Sequence, residues 1–360
     1  MFVHISELVS KRMVVPLGLV VALLIVTPRA TADRTKRAVG PLPLGIVQVP
    51  SGDEVAERLT ASPGPHPALS LNGRFGQFVL TSASTGAASF AGATLNGATA
   101  VAFEGVRFSD TVNVTRSKNI RFTRCIFEAG IIIREGSENI TIESSSLVGG
   151  MNGINIYAPA PKDPVRRVTI RDNNISGQAN DNIQVGGAED VLIEGNEIHD
   201  PIDNANHNDG IQAMRSQRLQ IRNNRLWGQD EAILLKPEAV LGSDSRVETT
   251  TIANNLLVRS RGAGIILMGA RTVSLVGNTI FDNHFQDVIV HRGSEDVDIH
   301  QNVLVRLDVV AGVKQPREGR NCVQRGGSGM GVISSPPDFL DRVHYAQRLS
   351  SPCLGLGYVG

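Results

Sequence analysis

VTIRDNNI (168–175), VLIEGNEI (191–198), LQIRNNRL (219–226), TTIANNLL (250–257), VSLVGNTI (273–280) and VDIHQNVL (297–304) are copies of one octad, apolar-x-apolar-x-x-Asn-x-apolar. Weaker copies start at Val101 (VAFEGVRF), Ile120 (IRFTRCIF) and Ile140 (ITIESSSL). Successive starts lie 19, 20, 28, 23, 28, 31, 23 and 24 residues apart. A fixed octad at uneven spacing implies one constant corner per repeat and loops of varying length, the signature of a solenoid. Apolar residues alternate within each copy, as in a strand with one buried face. Asn173, Asn196, Asn224, Asn255, Asn278 and Asn302 hold the sixth position. Asn tolerates left-handed turns and bonds nearby backbone, so a structural ladder of stacked amides is expected there.

A second strand recurs in phase, centred on an inward isoleucine: Ile154, Ile183, Ile211, Ile233, Ile265 and Ile289. No helical segment or Leu-x-x-Leu-x-Leu consensus accompanies it. Short strands without helices, two or three per coil, predict an all-β, right-handed parallel β-helix in a single domain.

Whole-chain properties agree. A chain of 360 residues is long for one compact core, but a coil buries only against its neighbours. The net charge of zero gives no bulk attraction to nucleic acid. Lys11 and Arg12 precede an apolar run from Met13 to Val26, then Ala30-Thr31-Ala32, the pattern of a cleaved export signal. The segments expected are a signal peptide (1–32), an N-terminal cap and first coils (33–95), β-helix repeats (96–310) and an irregular C-terminal cap (311–360). The product would be secreted or periplasmic, with no stable membrane insertion after cleavage. Cys125 occupies an inward repeat position and is expected as a buried thiol. Cys322 and Cys353 both fall in the C-terminal part, where an oxidising compartment permits a bridge.

These repeats resemble the pectin-lyase-like superfamily of parallel β-helices across nearly the whole mature chain. Residues 51–80 look like the opening helix and first coil of such proteins. Ser51 to Asp53 would cap that helix, and Val55, Ala56 and Leu59 would form its apolar stripe. Residues 349–357 (LSSPCLGLG) are similar to their closing segment.

A β-helix core is apolar, so chemistry must lie on outward side chains of one face and on its loops. Around the isoleucine strand the polar residues Asp181, Gln184, His207, Asp209, Gln212, Asp230, Glu231 and Lys236 crowd three consecutive coils. Carboxylates on coils about 4.8 Å apart repel, which raises at least one pKa. The same stack could hold Ca²⁺ at Asp181, Asp209 and Glu231, since that ion takes oxygen ligands. Asp209-Gly210 could also be a turn, and Gln184 and Gln212 an amide ladder.

HNDGIQ (207–212) followed by WGQDEAILLK (227–236) resembles two consecutive coils of the polygalacturonase family. That resemblance implies Asp230 as general acid, and Asp209 and Glu231 as bases activating water. Inverting hydrolysis places the carboxyl groups about 6.5–9.5 Å apart. Arg261-Gly262-Ala263-Gly264 stands where the family has Gly-His-Gly, and its Arg-x-Lys motif is absent. His291-Arg292, a coil later, could serve the uronate carboxylate instead. Trp227 is the best sugar-stacking aromatic.

Hydrolysis of an acidic, uronate-containing polysaccharide without a required cofactor is therefore one reading. A second is a lyase or epimerase. It would use Lys236, His207, His291 or Arg292 as base, with calcium as a possible aid. A third is a carbohydrate-binding or surface protein with no catalysis. The loops 158–166, 199–208 and 237–248 are the expected groove walls.

Overall fold

The computed structural model describes residues 47–49, 52–61, 64–82, 88–159, 162–204, 206–238, 245–325, 333, 336–341 and 344–359. The expected export signal and its cleavage site lie outside the described residues.

The described regular structure is all strand, 33 strands joined in one network in which every strand pairing is parallel. Each central coil contributes three strands. In one coil these are Ile183–Gly186, Ala188–Glu194 and Glu197–His199. Stacking generates three columns: an isoleucine column, an octad column and a short column. The isoleucine column runs in register from Ile131 through Ile154, Ile183, Ile211 and Ile233 to Ile265, one residue per rung. All six are buried at 0–1% exposure. The alternation read from sequence thus produces a continuous apolar stack. In the N-terminal coils the other two columns turn aromatic, with Phe103 and Phe122 of the octad column parallel at 4.9 Å and Phe108 and Phe127 of the short column at 5.4 Å.

The Asn ladder forms as the octad predicts. Asn224 donates from Nδ2 to Asn255 Oδ1 (3.0 Å) and to the Ile193 carbonyl (2.9 Å). Its own Oδ1 accepts from the Asn196 backbone N–H and side chain, both at 2.9 Å. The pattern continues through Asn278 and Asn302 to Asn321. At the other end the chain substitutes Ser145, which receives the Cys125 N–H at 3.0 Å. The left-handed residue of this corner is not the asparagine but the one before it: Asp172 (φ 55), Asn223 (φ 58), Asn254 (φ 51) and Gln301 (φ 59). That residue turns the chain, which frees the ladder asparagine to point inward and bond. A second corner, between the isoleucine and octad columns, is bonded by serines: the Ser216 hydroxyl takes the Ala188 N–H at 3.3 Å and donates to the Met214 carbonyl at 2.8 Å.

Outside, the octad column is tiled with opposite charges one rung apart. Lys118–Glu138 (3.0 Å), Glu194–Arg222 (2.8 Å) and Asp190–Arg218 (2.6 Å) are examples. This self-neutralised face leaves little net field for a charged polymer.

Two expectations need correction. Residues Gly52–Ala61 are a strand paired in parallel with residues 75–82, not a capping helix. A strand continues the backbone ladder of the coils, which a helix would interrupt. In the coil after Ile265, the inward residue is Val288, and Ile289 faces out. Asp287 is accordingly a buried corner residue, taking the Asn283 amide at 2.8 Å, with burial pushing its carboxyl up to about 6.

At the C-terminal end Cys322 and Cys353 form a disulfide, with Cα atoms 5.5 Å apart. It closes a small apolar cluster with Val303 and Leu356. Cys125 is a buried free thiol, and desolvation pushes its pKa up to about 12.

Candidate functional site

The register of the isoleucine column places the outward residues in three rows. The central row reads Asn155, Gln184, Gln212, Leu234, Ile266 and Ile289. One edge, two residues before each inward position, carries Asn152, Asp181, Asp209, Glu231, Ala263 and Gln286. The far edge carries Tyr157, Gly186, Met214, Lys236, Met268 and His291. The face is polar in the first three rungs and becomes apolar along its centre from Leu234 onward.

The chemistry converges at the first edge. His207 sits on the loop before Ile211 and spans two rungs. Its Nδ1 lies 3.1 Å from Asp209 Oδ1, and its Nε2 lies 2.8 Å from Glu231 Oε2. The imidazole is 56% exposed, Glu231 is 15% exposed and Asp209 is fully buried. Hydrogen bonds to Asp209 and then to Glu231 push the imidazole up to about 10, so the ring is a cation at neutral pH. Burial holds the Glu231 carboxyl above its ordinary range despite the imidazolium beside it.

A buried carboxylate survives only if its oxygens have partners. Asp209 Oδ2 accepts from Gln212 Nε2 at 2.8 Å, and Oδ1 faces the imidazole. The Asp209 N–H donates to Asp181 Oδ1 at 3.1 Å. Asp181 in turn accepts from Gln184 Nε2 at 3.2 Å, and Gln184 accepts from the Asn152 amide at 3.2 Å. Desolvation, then the charge of Asp209, raises the Asp181 carboxyl to about 7. Asp181, Gln184 and Gln212 thus form a supporting chain behind Asp209.

Asp230 is engaged elsewhere. Its Oδ2 accepts the Asn208 N–H at 2.8 Å, and its Oδ1 pairs with Arg261 Nε at 3.0 Å. Arg261 also reaches Asp203 at 2.9 Å. The pair therefore clamps the loop that carries His207. Arg215 does similar work at the other walls. Its guanidinium donates to the carbonyls of Ala158 and Pro159 (3.1 Å to Pro159) and pairs with Glu238 at 3.3 Å. It ties the 158–166 loop to the start of the 237–248 loop. Neither arginine follows from the repeat pattern, because both serve loops that lie outside it.

The remaining expected site residues are more scattered. Lys236 stands on the far edge, close enough for its charge to lower the Asp181 pKa. His291 falls in the same row two rungs on, roughly 10 Å away, with exposed Arg292 next to it. Trp227 is on the outer side of the short column, around the corner from Asp230. There it stacks on His199 (4.6 Å, 5°) and packs by the Leu256, Val258 and Tyr345 cluster. The carboxylates of Asp181, Asp209 and Glu231 do not converge. Among the described residues the group whose ligand atoms lie within 4.8 Å of one another is His207, Asp209 and Glu231. Asp181 points instead at a backbone N–H and an amide, so these residues do not build the all-oxygen shell that calcium takes.

The family model for the right-handed beta helix region matches residues 164–304. No curated protein matches the chain. Among solved structures the chain is similar to PfbA, a surface adhesin of Streptococcus pneumoniae, at 10% identity and TM-score 0.57, covering 76% of this chain and 83% of that one. It is similar to the periplasmic alginate epimerase AlgG at 10% identity and TM-score 0.55, covering 76% of each. It is also similar to the A-module of the Azotobacter vinelandii mannuronan C-5 epimerase AlgE6, at 13% identity and TM-score 0.53, covering 79% of this chain and 92% of that one. At such identities the likeness is one of fold, the right-handed parallel β-helix.

Proposed function

We propose that this chain is an exported enzyme that moves the proton beside the carboxylate of a uronate in an acidic polysaccharide, ending in β-elimination or epimerisation. The observation that carries the reading is the His207 imidazolium, solvent-facing and held between buried Asp209 and partly buried Glu231. Such chemistry needs a cation to stabilise the charge that develops on the carboxylate and a base to take the neighbouring proton. His207 supplies the cation. Glu231, whose carboxyl is raised by burial, is the better base of the two carboxylates and the more accessible. The C–H bond breaks, its proton goes to Glu231, and its electrons move into the uronate carboxylate. The sequel is either loss of the oxygen substituent one carbon further, with a proton from His207, or delivery of a proton from solvent water to the opposite face, Glu231 then losing its proton to solvent. Lys236 serves a substrate carboxylate at the far edge. No step uses a metal.

The polygalacturonase-like alternative is less favoured by this geometry. Its acid and bases must face substrate and water, whereas both Asp230 oxygens have donors and Asp209 is fully buried. The fold is also that of a periplasmic alginate epimerase and of the A-module of a mannuronan C-5 epimerase.

The test is to incubate the purified protein with a panel of acidic polysaccharides in D₂O. Deuterium incorporation, unsaturated-uronate absorbance and reducing ends are followed together, with and without calcium or chelator. Deuterium incorporation or absorbance, lost in Glu231→Gln and His207→Ala, supports proton transfer. Reducing ends alone would establish hydrolysis. Binding without any product would establish a surface carbohydrate binder, as the adhesin-like fold allows.

A further inference from the structure

Three ligating groups converge at the first edge of the site face. One ligand atom from each of His207, Asp209 and Glu231 lies within 4.8 Å of the other two. The oxygens that face the ring are Asp209 Oδ1, 3.1 Å from Nδ1, and Glu231 Oε2, 2.8 Å from Nε2. Both oxygens are shut off from solvent, and among the described residues no well-aligned hydrogen bond reaches either. Asp209 itself is fully buried. Two buried anionic oxygens so placed are stabilised only by positive charge at close range. The protonated imidazole provides that charge from one side. A metal ion provides it more fully, because a single ion takes both oxygens and a ring nitrogen together.

The donor set selects the kind of ion. One imidazole nitrogen and two carboxylates suit zinc and its first-row neighbours, whereas calcium takes about six to eight oxygens. Ligand atoms about 2.0–2.2 Å from one zinc ion stand roughly 3–3.5 Å apart, close to the spacings found here. Asp209 and Glu231 are held on adjacent rungs. His207 is on a loop and 56% exposed, so its ring can turn to aim one nitrogen between the two oxygens. Its open side leaves a coordination position to water. Outer contacts fix these ligands as metal sites require. Gln212 holds Asp209 Oδ2 at 2.8 Å, while Asp230 and the Gln178 carbonyl each bond Asn208, the neighbour of His207, at 2.8 Å.

We propose that His207, Asp209 and Glu231 form a binding site for one divalent ion of the zinc class. As the metal–nitrogen bond forms, the ring gives its second proton to solvent, and the bound Glu231 oxygen is no longer free to accept one. On the reading given under Proposed function, the ion is therefore an inhibitor, since it takes the base of that reaction.

The test is made on the purified chain without an affinity tag, stripped with chelator. It is titrated calorimetrically with Zn²⁺ and separately with Ca²⁺, with no polysaccharide present. The expected result is one zinc ion per chain with a Kd below about 10 μM, and calcium at least about a hundredfold weaker. His207→Ala and Glu231→Gln should each weaken zinc about tenfold or more. His344→Ala, at an exposed histidine that pairs with Asp341, should change nothing. Co²⁺ in place of zinc should give a visible absorption band that His207→Ala abolishes. No saturable zinc binding, zinc binding of full strength in both ligand variants, or calcium binding as tight as zinc would each overturn the site. With a polysaccharide that the metal-free chain turns over, product formation should fall in step with zinc occupancy, and turnover persisting at full occupancy would overturn the inhibition. Zinc binding as expected, with no turnover of any polysaccharide by the metal-free chain, would leave the site standing and count against the proposed reaction alone.

Discussion

Replacing Asp209 with Asn should move the titration of His207 far more than its own bulk would suggest. An imidazole ordinarily titrates near 6.5. Here it is held up to about 10, the larger contribution coming from Asp209 and the smaller from Glu231, with burial working against both. Solvent reaches more than half of the ring and screens part of this, so the two carboxylates share what remains. Asn keeps the shape. Its oxygen can still accept from Gln212, and its amide then faces Nδ1, which favours the neutral ring. The titration midpoint should therefore fall more than half of the way back to 6.5. Glu231→Gln should produce a smaller fall. Imidazole resonances followed by NMR across pH 5–11 measure both directly. An Asp209→Asn protein titrating like the parent, or a larger effect from Glu231→Gln, would refute the assignment of Asp209 as the main partner. The sign for stability follows from the same raised value. Stabilisation by the His207 cluster is complete below about 6.5 and is lost as pH rises through about 10.

Other consequences can be checked alongside. Asn224→Ala strands the Asn196 N–H and the Ile193 carbonyl inside the coil, at about 1–3 kcal/mol each, so native-state hydrogen exchange should show a loss of about 2–6 kcal/mol around that rung. Thr250 occupies an inward octad position with a hydroxyl that has no partner, so Thr250→Val should be neutral or stabilising by about 1 kcal/mol in urea denaturation. Asp181 has a folded pKa raised to about 7, so its contribution favours folding at low pH and is lost as pH rises from about 4 through 7; the stability of Asp181→Asn should be flatter across that window. Reducing the Cys322–Cys353 bridge, whose cysteines lie 31 residues apart, should cost about 3–4 kcal/mol by chain entropy and lower the melting temperature of the C-terminal coils.

The coils were legible because their information is local. Alternation of two and an Asn at a fixed place say which way each side chain points, and stacking does the rest. The weaker octads even place Cys125 and Ser145 at the ladder position, where they are found. Val288-Ile289-Val290 misled because three apolar residues fit either register, and only pairing with Ile265 decides. Residues 52–61 misled because a helical stripe and a strand share apolar positions over so short a stretch. The site was legible where adjacent rungs bring residues together, as with Asp209 and Glu231. It was not legible across corners. Trp227 is three residues from Asp230 yet lies on another face, and the arginines that fix the walls act through loop geometry that no period encodes.

The regular stack also gives the site a graduated scale. Rows of side chains repeat at one strand spacing, roughly 4.8 Å, whatever the loops do. A polymer laid along them is compared with a ruler whose divisions it cannot alter. Any mismatch between its own repeat and that division grows with each unit. On the function proposed above, recognition is therefore sharpest within a unit or two of His207, and distant parts of a long chain contribute little to choice. On that reading, short oligomers spanning the His207 rung and its neighbours should be discriminated nearly as well as the full polymer.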